Sequence, residues 1–188
     1  ACDAAASSKA PGSFGSVNTS ADTMGIFSIS SITRVSDNST WFSRGVDGFL
    51  TGIFGNLMDH EVDVTAATTQ ANAIGGTFSL FQNAADYNTS QGPAVDAGKD
   101  LNASLYSSIS DGLLVLSGEF VPGAVFGDNE STFTSFFFNN TLSGGSNGYL
   151  DVTGGEWQET FDTNGVDIVG GVGTADLFAT FTFAPTDD

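Results

Sequence analysis

One cysteine, one histidine, four prolines and four basic residues are spread over 188 positions. Each shortage closes off a class of function. Cys2 by itself cannot make an intrachain disulfide, a cysteine-built zinc cluster or a CxxCH haem attachment. A free thiol and a link between chains stay open for it. Lipidation would require it to be the first mature residue, and Ala1 precedes it. The positive side chains are Lys9, Arg34, Arg44 and Lys99, against 22 acidic residues, for a net charge of −18. Such a surface repels phosphate backbones and anionic headgroups, so nucleic acid is excluded as a partner. A single histidine leaves no Ser-His-Asp order to argue. No apolar run reaches the roughly 18 residues of a membrane span, and no signal peptide is visible. The opening ACDAAASS is small and polar, as expected just after a signal-peptidase cut. The chain therefore reads as a mature exported protein, secreted or held at the cell surface.

What is present suits a β protein. There are 24 glycines and 17 phenylalanines, and hydrophobic residues make up 40%. Mean hydropathy is +0.05. A chain of this length can bury roughly 70% of its unfolded surface in one domain. Many turn residues with many aromatics imply short strands joined by tight connections.

Residues 1–22 are Ala/Ser/Gly-rich, with Phe14 and Val17 as their sizeable apolar groups. They read as an N-terminal arm, either free or paired with a neighbour's sheet edge. Residues 23–188 read as one β domain. In GIFSISSITRV, Phe27 and Ile29 share a face and Ile32 takes the other, which suggests a bulge at Ser30–Ser31. GVDGFLTGIFGNLM is apolar with glycine breaks. EVDVTA alternates Val62 and Val64 inward against Glu61 and Asp63 outward. GGTFSLFQN sets Phe78 and Leu80 on one face. DGLLVLSGEFVPG is a continuous apolar run, expected as a central strand buried on both faces. FTSFFF supplies Phe133 with Phe137 and, opposite, Phe136 with Phe138. GYLDVTGG turns Leu150 and Val152 against Asp151 and Thr153. ADLFATFTFAP ends with Leu177, Ala179, Phe181 and Phe183 in phase. One helix is expected after Asp100 as N-cap, with Leu101, Leu105 and Ile109 on its apolar side. The fold class is therefore mostly β: a single-domain antiparallel sandwich or barrel-like fold of about eight to ten strands, with at most one or two short helices.

Candidate sites are few. His60 lies between Asp59 and Glu61, but neighbours on a strand point to opposite faces, so the three should not converge. It reads first as a solvated loop residue. Glu119, Glu156 and Glu159 are the glutamates a glycosidase could use, with no fixed separation between any two. DTNGVD opens like a calcium loop, yet Val166 and Asp167 stand where an EF-hand needs an oxygen ligand and glycine. The same stretch succeeds as turn chemistry: Asn164–Gly165 is the favoured type I′ hairpin pair, flanked by QETF and VDIV. Incidental calcium at Asp128, Asp162 and Asp167 is a remaining cation expectation, and no other cofactor is expected. Trp41, Tyr149 and Trp157 are the rings able to stack on sugars. Asn18, Asn38, Asn88, Asn102, Asn129 and Asn139 each begin an N-x-S/T acceptor sequence. Lys9 and Lys99 are the amines an isopeptide bond would need.

The order of GVDGFLTGIFGNL, GGTFSLFQNAADYNTSQGP, LVLSGEFVPG, SNGYLDVTGGEWQETFDTNG and ADLFATFTF resembles the secreted region of bacterial PEP-CTERM surface proteins. The likeness runs roughly from Gly45 to Pro185. It implies an exported, exosortase-sorted, β-rich protein associated with extracellular polysaccharide and flocs. No sorting tail follows Asp188 in this sequence, and the likeness carries no catalytic residues. The expectation is a non-enzymatic structural subunit of a cell-surface fibre or biofilm matrix, self-associating through strand or arm docking. The alternative is a secreted polysaccharide-binding module, calcium-assisted or not. Coplanar exposed rings favour the second; buried rings favour the first.

Overall fold

The structure is a computed structural model and describes residues 23–86, 109–169 and 173–183. The arm, the helix expected after Asp100, and Cys2, Lys9, Lys99, Asn18, Asn88 and Asn102 lie outside the described residues. Within them the chain forms β1 (Thr23–Ser28), β2 (Ser31–Thr33), β3 (Thr40–Ser43), β4 (Phe49–Val64), β5 (Thr68–Asn83), β6 (Leu113–Val121), β7 (Phe133–Phe138), β8 (Gly144–Gly154), α1 (Gln158–Phe161), β9 (Val166–Asp167), β10 (Thr174–Ala175) and β11 (Leu177–Phe183). The mostly β, antiparallel fold class stands.

Seven strands form one antiparallel sheet in the order β1-β4-β5-β6-β8-β11, with β7 also pairing β5 and β8. β6 and β7 lie end to end between β5 and β8. Glu119 pairs Thr77 and Phe133 pairs Ala73 on β5, while Phe120 pairs Leu150 and Phe133 pairs Gly148 on β8. DGLLVLSGEFVPG is thus central, as expected. It is not buried throughout, because Leu113 and Leu114 remain 51% and 39% exposed at its start.

The long β4–β5 hairpin explains how the sheet rolls up. Leu57 pairs with Gly75 and Gly55 with Thr77, so Asn56 stands opposite Gly76. Asn56, Gly75 and Gly76 all have positive φ, at 59°, 73° and 101°. Left-handed residues on both strands at one level give a corner, and only Gly or Asn enters that region without a large steric cost. Asn56 Nδ2 donates to Thr77 Oγ1 at 3.0 Å across it. The glycines read from sequence as breaks are therefore bends within continuous strands.

Rolling puts one face inside. Leu50, Leu57, Phe78, Leu80, Val115, Leu116, Phe120, Phe133, Leu150 and Val152 form the main core. Each fully buried side chain of this kind contributes about 1.5–3 kcal/mol. Phenylalanines bridge the interior: Phe54 lies 5.4 Å from Phe133 and 5.5 Å from Phe181, and Phe120 stands edge-on to Phe133 at 5.4 Å. The in-phase sets Phe78/Leu80, Leu150/Val152 and Leu177/Ala179/Phe181 all face this core.

Two expectations are corrected. Ser30–Ser31 is not a bulge: β1 ends at Ser28, and Ile32 enters a separate two-stranded sheet with β3, register Ile32 to Phe42. Its Phe42 is 2% exposed and plugs one end of the core. QETF is not a hairpin strand but the single turn α1, so Asn164–Gly165 joins a helix to β9. Asn164 does take a positive φ of 50°. A smaller cluster lies on the outer face, where Tyr149, Ile168 and Ala175 pack beneath the β9–β10 hairpin.

Candidate functional site

The three ring candidates separate. Tyr149 points to the outer face and is 5% exposed. Its ring packs 4.8 Å from Phe178, and its hydroxyl accepts the Val169 N–H at 3.2 Å. It offers no free ring face to a sugar. Trp41 on β3 and Trp157 before α1 do meet, at 5.0 Å and 81°. Phe161 closes the triad, 4.9 Å from Trp41 at 88°. Edge-to-face geometry is the favoured way for aromatic rings to pack on one another. Trp41 keeps 36% exposure and borders a cleft of about 320 Å3 lined also by Ile32, Arg34, Phe161, Thr163 and Asp176.

Asp176 is the residue that sequence reasoning passed over. It sits between β10 and β11, 6% exposed. Its Oδ2 accepts the Val152 N–H at 2.8 Å, and its Oδ1 accepts the Thr163 and Asn164 N–H groups, each at 2.6 Å. One carboxylate thus ties the strand β8, the turn after α1 and the start of β11 into a single unit. The only signal for it in the sequence was a lone Asp breaking the apolar phase of TADLF. Its charge acts on Asp151. Burial, then the charges of Asp176, Asp162 and Glu119, push the Asp151 carboxyl above the ordinary range. Asp151 Oδ1 is buried without a hydrogen-bond partner.

Of the three calcium candidates, Asp162 and Asp167 flank the turn between α1 and β9, and Asp128 stands on a different loop. Asp128 lies in the 122–132 loop, where it accepts the Glu130 N–H at 2.8 Å and the Ser131 hydroxyl. Burial works to raise its pKa; the Ser131 and Glu130 hydrogen bonds outweigh it and hold the carboxyl below the ordinary range. Asp162 follows α1 and receives Gln158 Nε2 at 3.5 Å. Asp167 is exposed on β9. Among the described residues no three His, Cys, Asp or Glu side chains gather in a way that could hold a metal ion.

His60 is not the solvated loop residue read from sequence. It is the extra residue of a bulge, since Asp59 pairs Ala73 and Glu61 pairs Asn72. Its side chain is 19% exposed, and Nε2 lies 3.4 Å from Glu130 Oε2. Its charged neighbour comes from a distant loop, while Glu61 accepts Asn72 Nδ2 at 3.1 Å. Glu119, Glu156 and Glu159 are all exposed, and Glu119 stands across from Asp151. Of the described acceptor asparagines, Asn38 and Asn129 are exposed. Asn139 is built into the fold: Nδ2 donates to the Thr65 carbonyl at 2.9 Å, and Oδ1 accepts Thr69 Oγ1 at 2.7 Å. A glycan on that nitrogen would replace one of its two hydrogens.

The remaining feature is the pair of sheet edges. β1 pairs only with β4, and β11 only with β8, among the described residues. Their sequences, TMGIFS and LFATFTF, contain no charge and no proline. Phe178 and Phe183 on β11 are 49% and 38% exposed. No described helix is long and apolar enough to cross a membrane. No family model matches the chain, and no curated protein or solved structure matches it either.

Proposed function

We propose that this chain is a non-enzymatic structural protein of the cell exterior, a self-associating subunit of a surface fibre or of a biofilm or floc matrix. The supporting observation is the unprotected edge strand β11. Monomeric proteins guard such edges with lysine, proline, bulges or inward charges, because an open row of N–H and C=O groups templates another strand. Here a chain with 22 acidic residues places none on β11. An uncharged edge in so acidic a protein fits a docking surface, with main-chain hydrogen bonds supplying affinity and exposed phenylalanines supplying register. Sedimentation of the purified protein over a concentration series is the test. Concentration-dependent growth beyond 19.3 kDa agrees with the proposal; a single species of that mass throughout removes it.

A secreted polysaccharide-binding module is the second reading, supported by the cleft beside Trp41. The buried Tyr149 and the perpendicular Trp41–Trp157 pair give one partly free ring rather than a coplanar platform, which keeps this reading second. Tryptophan fluorescence titrated with extracellular polysaccharide decides it, and Trp41→Ala must abolish any quenching observed.

A further inference from the structure

The rolled sheet does not close. Its six positions alternate in direction, so β1 and β11 run antiparallel on either side of a seam, and among the described residues no backbone hydrogen bond joins them. They touch through side chains, with Phe27 and Phe181 edge to face at 5.3 Å. The central rings Phe78, Phe120 and Phe133 are covered to 3–5% exposure. Along the seam Phe27, Ala179 and Phe181 pack against the core but remain partly exposed, as Ile32, Trp157 and Phe161 do at another border of it. Two edges without a partner strand among the described residues, flanking a partly exposed apolar line, have the form of an acceptor for one more strand.

We infer that the seam receives residues from the 1–22 arm of a second copy of this chain, deepening the self-association proposed above and resting on it. Residues 1–22 precede β1 directly, so the donor segment leaves from one wall of the acceptor. Fully extended, 22 residues reach on the order of 70 Å, several times the roughly 23 Å of a seven-residue strand. The arm can therefore leave its own domain and still line a neighbour's seam. Its composition fits the space. The Phe27 and Phe181 rings already fill the interior beneath the seam, so inward positions of an inserted strand must be small. The arm is mostly alanine, serine and glycine. It carries Asp3 and Asp22 against Lys9, and so has little of the charge that would repel an acidic neighbour. An inserted strand would run antiparallel to one wall and parallel to the other. Donor and acceptor are different surfaces, so an arm passed each time to a new copy builds a head-to-tail line, whereas reciprocal exchange between two copies closes a dimer.

The test uses full-length chains with Cys2→Ser to remove the native thiol. One protein carries Ala179→Cys in the seam. Its partners each carry one arm cysteine, from a set at Ser13, Ser16 and Thr19. A control carries Phe126→Cys, on a residue 77% exposed in the 122–132 loop. Mixed pairs are oxidised and run on a denaturing gel, with light scattering on the same samples. A heterodimer at twice 19.3 kDa for at least one arm position with Ala179→Cys, and none with Phe126→Cys, is the expected result. Oligomers that form by light scattering without any arm–seam cross-link overturn the seam assignment and leave the structural reading standing. A chain carrying both cysteines that links only to itself overturns the exchange between copies. Light scattering that finds monomers in every sample, unsubstituted protein included, overturns both.

Discussion

Phe27 and Phe181 stack edge to face, 5.3 Å apart, on strands that share no backbone hydrogen bond. Among the described residues, ring contacts and not backbone hydrogen bonds link the two ends of the sheet, with Phe54 also 6.1 Å from Phe27 and 5.5 Å from Phe181. Aromatic pairs of this kind contribute about 0.5–1.5 kcal/mol beyond the area they bury. Among the described residues no strand takes up the outer main-chain donors and acceptors of β1 or β11.

Charge on the open edge should block assembly and spare the fold. Thr180 and Thr182 alternate with the inward Ala179 and Phe181, so they face outward. Replacing both by lysine should weaken self-association about tenfold or more, while changing stability by roughly 0.5 kcal/mol or less per site. The substitution also lowers the net negative charge, which would by itself favour association. Loss of assembly therefore cannot be ascribed to repulsion. Sedimentation and urea denaturation on the same sample read both quantities.

Gly52 and Phe27 pair directly across β1 and β4, and Gly25 pairs with Phe54 in the same way. A Cβ on Gly52 would stand where the Phe27 ring lies, and one on Gly25 would meet the Phe54 ring. Gly52→Val should cost about 1–3 kcal/mol by overpacking, and should also displace Phe27 from Phe181. Chemical denaturation gives the first effect, and aromatic NMR shifts of the two rings give the second.

Asp176→Ala leaves the N–H groups of Val152, Thr163 and Asn164 without their acceptor. A loss of roughly 2–3 kcal/mol is expected: the buried Val152 N–H costs about 1–3 kcal/mol when orphaned, and the part-buried Thr163 and Asn164 N–H groups, on exposed residues, add less. Asp176→Asn keeps one acceptor oxygen and should fall between. Amide exchange should accelerate at Thr163 and Asn164 before it does in the core strands.

Asp151 and Asp128 should respond to pH with opposite signs. The raised pKa of Asp151 means that the folded state holds its proton more tightly than the unfolded chain does. Stability from this group is full below the ordinary value of 3.8 and is lost as pH rises through the folded pKa. Asp128 is depressed, so its contribution is full above 3.8 and is lost as pH falls through its folded pKa. Asp151→Asn should accordingly raise stability at pH 7, by about 0.5 kcal/mol for a partly exposed group, and give no gain at pH 3. Denaturation midpoints at the two pH values check the pair.

Much of the strand content was legible because it depends on local alternation. Phe78 with Leu80, Leu150 with Val152, and Leu177 with Ala179 and Phe181 share the core face as their period of two requires. What escaped depends on residues far apart in the chain. The bulge at His60 cannot be seen in MDHEVDV, because it is set by the register of β4 against β5. The corner at Asn56 and Gly76 looks like two unrelated interruptions until the strands are paired. QETF has a strand-compatible pattern, and it turns helical beside a Trp157 packed against Trp41 more than a hundred positions earlier. Asp176 shows the same limit: nothing local says that a single carboxylate will serve three backbone donors. Residue type alone marks the three rings, and burial divides them, with Tyr149 inside and Trp41 at the rim of a cleft.

Electron microscopy of the purified native material tests the central claim most directly. Filaments one domain wide, built from copies in a repeating head-to-tail line, are the predicted result. A field of separate 19.3 kDa particles, with no filament or matrix containing this chain, would contradict it.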